Sequence, residues 1–320
     1  MRILALVPGG IGDQILFFPT IDDLKQNYPD AQIDVIVEPR STGAYRVCKS
    51  VNEVMRFDFR NRNGMADWGN LLGIIRDREY DFAVSLGRSW GVNFLLWLTG
   101  IATRVGYSSG LKEAFISNAV PLKTEQYAAE MYHDLLKGLD IHSPCPPLAV
   151  NVPKQDIEWA ELAQQRLGIN ETGYIVIHGG SSQISQSQSI DKTYPVKKWQ
   201  QVIEDIQQRQ PNLPVVVING PDDQAFVSSL LGYCPGVKVI SPPDIGKLAA
   251  LIAGANLMLC TDSAPMHIAV AVGTYLIALF GPTEAKKLLP QSDRTIGLQS
   301  STRSVADIPP ADVLQKIWRG

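Results

Sequence analysis

Residues 257–283 read LMLCTDSAPMHIAVAVGTYLIALFGPT. An apolar run, Leu257 to Cys260, leads through a polar turn into an almost wholly apolar helix body, Ile268 to Val272, and a second apolar run follows at Tyr275 to Phe280. Two short apolar runs joined through a helix form a βαβ unit, with parallel strands buried on both faces. Thr261, Asp262 and Ser263 supply capping oxygens, Pro265 suits a first helical turn, and the free amides there suit an anion. His267 falls one turn in, where it reads equally as a phosphate donor or a buried core histidine.

The same alternation extends in both directions. Strands are expected near Ile3 to Val7, Ile33 to Val37, Val54 to Phe57, Phe82 to Leu86 and Arg104 to Tyr107 in the first half. Further strands are expected near Tyr174 to His178, Val215 to Ile218 and Val237 to Ile240. Helices are expected near Gly12 to Asn27, with Pro19 kinking it, and at Trp68 to Arg78, Val92 to Leu98 and Glu125 to Leu139. Between the halves, HSPCPPLAVNVP (residues 142–153) holds four of the chain's 21 prolines and reads as a linker. The expected class is therefore α/β, with two Rossmann-like domains, 1–150 and 151–320, facing across a central cleft. Ligands of such sheets sit at the carboxyl ends of the strands.

Composition narrows the function. The 320 residues carry 29 Lys plus Arg against 32 Asp plus Glu, a net charge of −3 without long runs, which excludes a phosphate-tracking nucleic-acid binder. Four scattered cysteines, Cys48, Cys145, Cys234 and Cys260, form no C-x-x-C pair and read as free thiols rather than metal ligands. The apolar run after Arg2 is too short for a secretory signal, and no apolar stretch is long enough to span a bilayer.

Three more strand ends carry polar loops. GGIGDQILFFP (residues 9–19) turns tightly on Gly9, Gly10 and Gly12 and sets Asp13 in the first helical turn, where the helix dipole favours a carboxylate. An acid there would repel a pyrophosphate, so a dinucleotide fingerprint is disfavoured, and Asp13 reads as a partner of a hydroxyl proton or as a simple cap. HGGSSQISQSQSIDKTYPVKKW (residues 178–199) offers a donor-rich turn with Ser181, then Lys192 ahead of a helix; by itself Lys192, Lys197 or Lys198 reads as a solvated charge. NGPDDQ (residues 219–224) places Asp222 and Asp223 where an acid accepts from a ribose or charges a helix start. Trp90, Phe94 and Trp97 share a helical face, for which core packing is the expectation and lipid contact the alternative.

From GDQILFFP to TDSAPMHIAVAVGTYLIALFGPTEAKKLLP, these segments resemble the heptosyltransferase family of glycosyltransferases, family nine, which has the two-domain GT-B architecture. The chain departs from that pattern at Ala264, where glycine is common, in its longer polar loop, and in the Thr-Tyr after Lys192. The resemblance implies inverting transfer of a sugar from a nucleotide diphosphate, typically ADP-heptose, to a lipopolysaccharide-type or other glycan hydroxyl, with no metal and no cofactor. It implies an acceptor-binding first domain with Asp13 as general base. It also implies a donor-binding second domain in which Lys192 meets the pyrophosphate, Asp262 meets sugar hydroxyls, and Ser263, Ala264 and His267 hold the diphosphate. Ser181, Asp223 and Thr261 complete the expected donor site. Closure of the two domains would assemble the geometry and exclude water. The expected setting is cytoplasmic, with a peripheral contact at the inner face of the membrane and a lipid-linked or glycan acceptor. Two other readings compete: a nucleotide-sugar epimerase of similar fold, and a nucleotide-sugar-binding protein that transfers nothing.

Overall fold

The computed structural model describes residues 1–59, 63–108, 110–180 and 192–319, without the side chains of 111–113 and 319. The chain divides into two compact units, Met1–Asn151 and Val152–Gly320.

The first unit is built on a six-stranded parallel sheet: β1 (Arg2–Val7), β2 (Gln32–Val37), β3 (Glu53–Arg56), β4 (Phe82–Ser85), β5 (Thr103–Tyr107) and β6 (Asn118–Val120), in spatial order β3-β2-β1-β4-β5-β6. Side chains from Ile3 to Val7 are fully buried, as strands covered on both faces require. The order reverses at β1, whose Leu6 pairs with Ser85 of β4, so the crevice of this sheet opens beyond Val7 and Ser85. Helix Ile11–Asn27 follows β1 and runs unbroken through Pro19, with a nearly continuous buried stretch from Gln14 to Leu24. Tertiary packing offsets the main-chain bond that the proline removes.

The helix expected over Glu125 to Leu139 is shorter than read. It is α-helical over Ala128–His133 and continues as a 3-10 turn over Asp134–Leu139. Asp134 takes hydrogen bonds from Gln126 and Lys137, and Gly138 lies so close to β5 that a Cβ there would be 2.7 Å from Val105 Cγ1. Close packing tightens the turn.

The second unit repeats the plan with β7 (Ile175–His178), β8 (Val215–Ile218), β9 (Lys238–Ile240), β10 (Leu257–Thr261), β11 (Leu276–Phe280) and β12 (Thr295–Gln299), all parallel, in the order β12-β11-β10-β7-β8-β9. Its reversal falls between β7 and β10, where His178 pairs in register with Cys260. Helix Val196–Arg209 buries Trp199, Val202, Ile203 and Ile206 against this sheet, the i, i+3, i+4, i+7 stripe of a core-facing helix. Among the described residues, no helix is long and apolar enough to cross a membrane.

One expectation is overturned outright. Trp90 is 55% exposed and Trp97 49% exposed, so the aromatic face of helix Trp90–Leu98 is not core. Its buried face consists of Val92, Asn93, Leu95 and Leu96.

Candidate functional sites at the two sheet crevices

In the first unit the turn after β1 is drawn around one carboxylate. Gly9 has φ +143°, and a Cβ there would stand 2.4 Å from Asp13 Oδ2, so only glycine fits. Ser41 Oγ donates to the Gly9 carbonyl at 2.8 Å, and Gln14 Nε2 donates to the Val7 carbonyl at 2.9 Å. The buried Tyr45 hydroxyl fixes Gln14 in turn, at 2.8 Å from Oε1. Asp13, half-buried, accepts from the Gly10 amide on Oδ2 at 2.8 Å and from the Tyr132 hydroxyl on Oδ1 at 2.9 Å. Asp13 has no ion-pair partner among the described residues, whereas Asp34, at the opposite end of the sheet, is fully buried beneath Arg2 and Arg78. Burial opposes ionisation of Asp34, but bonds from Asn52, Tyr80 and Arg2 hold it below the usual carboxylate range. Asp34 therefore braces the fold, while Asp13 stands at the crevice without a neutralising cation.

Tyr132 was not singled out in the sequence, because 119 residues separate it from Asp13. It is delivered by helix Ala128–His133, whose His133 Nε2 lies 2.8 Å from Asp23 Oδ2 on helix Ile11–Asn27, with Ser143 Oγ donating to the same oxygen. Burial, and then the Asp13 charge, push the Tyr132 hydroxyl well above the ordinary tyrosine value, so it remains a donor. Arg88, just beyond β4, acts electrostatically on both Tyr132 and Tyr107.

In the second unit, side chains from three strand ends are bonded in series. Asp223, after β8, lies 3.1 Å from His178 Nε2 through Oδ2 and accepts from the Gly220 amide at 2.9 Å. His178 Nδ1, ending β7, lies 3.1 Å from Oγ of Ser263, the residue that precedes helix Ala264–Val272 after β10, and the same hydroxyl is 3.1 Å from the Thr261 carbonyl. Glycines make room for the acid: a Cβ at Gly180 would lie 1.6 Å from Asp223 Oδ1. Burial opposes the charge on Asp223, yet the bond and charge of His178 with the Gly220 amide hold its carboxyl below the usual range. Beside this series, Lys192 Nζ donates to Asp262 Oδ2 at 2.5 Å and Thr283 Oγ1 donates to the same oxygen at 2.8 Å.

The structure thus brings Lys192 and Asp262 together as one ion pair, although the sequence assigned them to different parts of a ligand. Thr261 is fully buried, and its Oγ1 has no hydrogen-bond partner among the described residues. Ala264 opens the helix and His267 is buried one turn in. Asp223 is buried 5% exposed against His178, while Asp222 is exposed. Ser181 lies outside the described residues. His178, read only as the last residue of a strand, links the Asp223 loop after β8 to the Ser263 turn after β10. Among the described residues, no group of three or more His, Cys, Asp or Glu side chains is arranged to hold a metal.

Comparison with known proteins gives a consistent picture. The family description "Glycosyltransferase family 9 (heptosyltransferase)" matches residues 68–317. "Lipopolysaccharide heptosyltransferase 3" of Escherichia coli is 27% identical over 96% of this chain and 95% of its own length. "Photosynthetic NDH subunit of subcomplex B 1, chloroplastic" of Arabidopsis thaliana is 26% identical over 96% of this chain and 71% of its own. The solved structure of E. coli ADP-heptose lps heptosyltransferase II superposes with a TM-score of 0.80 at 19% identity, covering 99% of this chain and 97% of that one.

Proposed function

The chain belongs to glycosyltransferase family 9, and we propose that it transfers a heptose or related sugar, with inversion, from an ADP-linked donor to a hydroxyl of a lipopolysaccharide or other cell-surface glycan. The observation that carries this reading is the Asp13 carboxylate, oriented by Gly10 and Tyr132 at the first crevice and in no ion pair among the described residues. Such a group is built to take a proton. In the proposed step the acceptor oxygen attacks the anomeric carbon while its proton passes to Asp13. The bond from that carbon to the phosphate oxygen breaks, and its electron pair leaves on the diphosphate.

The first unit supplies the acceptor side and the second the donor side. Lys192 and the amides opening helix Ala264–Val272 offset the charge that develops on the departing diphosphate, and Asp262, with Thr283 beside it, meets sugar hydroxyls. The assignment needs neither metal nor cofactor. The E. coli relative acts on lipopolysaccharide by its name, which supports an acceptor of that class.

A second reading rests on the similarity to the chloroplast NDH subunit: a component of a larger assembly that transfers nothing. Calorimetric titration with ADP, UDP and GDP, followed by mass spectrometry of acceptor glycans incubated with the matching sugar nucleotides, separates the two. Selective micromolar binding and a glycan heavier by one sugar support transfer. Binding of no nucleotide and an unmodified glycan give the second reading, and conversion of the donor without acceptor gives an epimerase.

A further inference from the structure

The aromatic face of helix Trp90–Leu98 has no role in the fold or in the proposed chemistry. Trp90 and Phe94 stack with centroids 4.8 Å apart and planes 17° apart, and Phe94 and Trp97 at 5.9 Å and 19°. Phe115, from the 3-10 turn Gly110–Phe115, lies edge-on against all three at 5.4–6.0 Å. The helix is already anchored by its opposite face, so the exposure of two tryptophans is not forced by core packing. Adjacent helix Met65–Asp77 adds Met65, 92% exposed, and Ile74, 45% exposed. Keeping such a surface in water is unfavourable, and contiguous apolar patches of this kind mark interaction sites.

Three guanidinium groups border it. Arg76 donates from Nε to the Leu98 carbonyl at 3.1 Å, at the far end of the stack. Arg104 donates from Nε to the Phe115 carbonyl at 2.9 Å. Arg88 precedes Trp90 by two residues and is exposed. None of the three forms an ion pair among the described residues, so their charges remain available to an external anion.

We propose that Trp90, Phe94, Trp97 and Phe115, bordered by Arg76, Arg88 and Arg104, form a docking surface for an anionic lipid bilayer. Rings stacked on one another present their edges, which suits insertion at a headgroup boundary rather than stacking of a sugar or a base on an open ring face. Tryptophan at the interface with arginine beside it matches the layered polarity of a bilayer with negative headgroups. The placement also deepens the proposed function, on which this last step rests. Helix Trp90–Leu98 follows the carboxyl end of β4, whose Ser85 pairs with Leu6 just before the turn that carries Asp13, so the Trp90 end of the patch borders the acceptor end of the first unit. A lipid-borne acceptor would keep its chains in the membrane beside the stack and offer its glycan to Asp13.

The test is sedimentation of the full chain with extruded vesicles of phosphatidylcholine alone or mixed with phosphatidylglycerol, read alongside tryptophan emission. Wild type should sediment with the anionic vesicles, with blue-shifted emission, and should be released by salt. The double variant W90A/W97A should lose about tenfold or more of that binding, and R76Q should weaken it while leaving binding to neutral vesicles unchanged. Unchanged thermal melting of W90A/W97A establishes that it is folded; if it melts early, R76Q alone decides. Transfer to a delipidated oligosaccharide should be the same in wild type and both variants. Absence of transfer in all of them would count against the proposed function and leave the vesicle result standing. Failure of wild type to bind anionic vesicles, or binding unchanged in the variants, overturns the proposal. So does self-association through this face in place of vesicle binding, which would make it a protein interface.

Discussion

Tyr132 donates its hydroxyl hydrogen to Asp13 across 119 residues of sequence at 2.9 Å, and the Gly10 amide holds the other carboxylate oxygen at 2.8 Å. The carboxylate is thereby fixed in direction by two elements that also pack on one another. Asp13→Ala should lower turnover by about 10² to 10⁴ with donor affinity nearly unchanged. Tyr132→Phe keeps the carboxylate and loses its orientation, so kcat should fall by about tenfold or less. Steady-state kinetics with calorimetry of ADP check both, and normal turnover in Asp13→Ala would reduce that residue to a helix cap.

Asp223 should make the second unit acid-sensitive. Its folded-state pKa is depressed, so its contribution to stability is complete above the unfolded value of about 3.9 and is lost as pH falls through the folded value. Asp223→Asn should therefore cost about 1 to 3 kcal/mol at neutral pH. The gap in thermal midpoint between wild type and variant should then close below about pH 4. Melting curves from neutral pH down to pH 3 measure it, and a gap that stays constant would show that the charge on Asp223 does not matter.

How much of this was legible follows from what each feature depends on. Strands β1, β7, β8, β10 and β11 are nearly continuous apolar runs because helices cover both faces of their sheets, and their sequence says so. β6 is three residues long and β12 reads TIGLQ, and both lie at sheet edges where no burial pattern is imposed. Asp13 and Asp262 stand out because each opens a helix in a loop at a strand end, whereas Lys192 reads alone as a solvated charge and takes its role only from the family resemblance. Tyr132 and the linking role of His178 do not stand out, since their partners arrive only when strands distant in the chain become neighbours. Trp90, Phe94 and Trp97 show the remaining ambiguity: an i, i+4, i+7 stripe looks the same whether the sheet packs on it or on the opposite face.

The four thiols are free, and all should be inert in the folded chain. Burial pushes Cys48 and Cys145 up to about 12, raises Cys234, and raises Cys260 well above the ordinary thiol value, with nearby acids adding to the effect. Thiolate is the reactive form, so at neutral pH none is populated to a useful degree. Native protein should react with a disulfide reagent on a timescale of hours, and denatured protein at once with four equivalents. A fast native phase would place one of the cysteines in a more exposed or more cationic setting.

Lys192 and Asp262 should show opposite dependences in stability and in binding. Their side chains are 18% and 7% exposed, so removing the ammonium leaves a nearly buried carboxylate that, among the described residues, has only the Thr283 hydroxyl to hold it. Lys192→Met should cost about 1 to 3 kcal/mol of stability, less than the roughly 3 to 5 kcal/mol of a fully buried broken pair because the lysine is partly solvated. Adding Asp262→Asn removes the stranded charge and should restore most of that loss. ADP affinity should follow the other rule: it falls in Lys192→Met because a cation facing the diphosphate is gone, and it stays low in the double variant. Thermal denaturation and calorimetry on the four proteins of this cycle read both quantities. Recovery of ADP affinity together with stability would mean that Lys192 serves only to neutralise Asp262, and the diphosphate contact would then have to come from the helix amides.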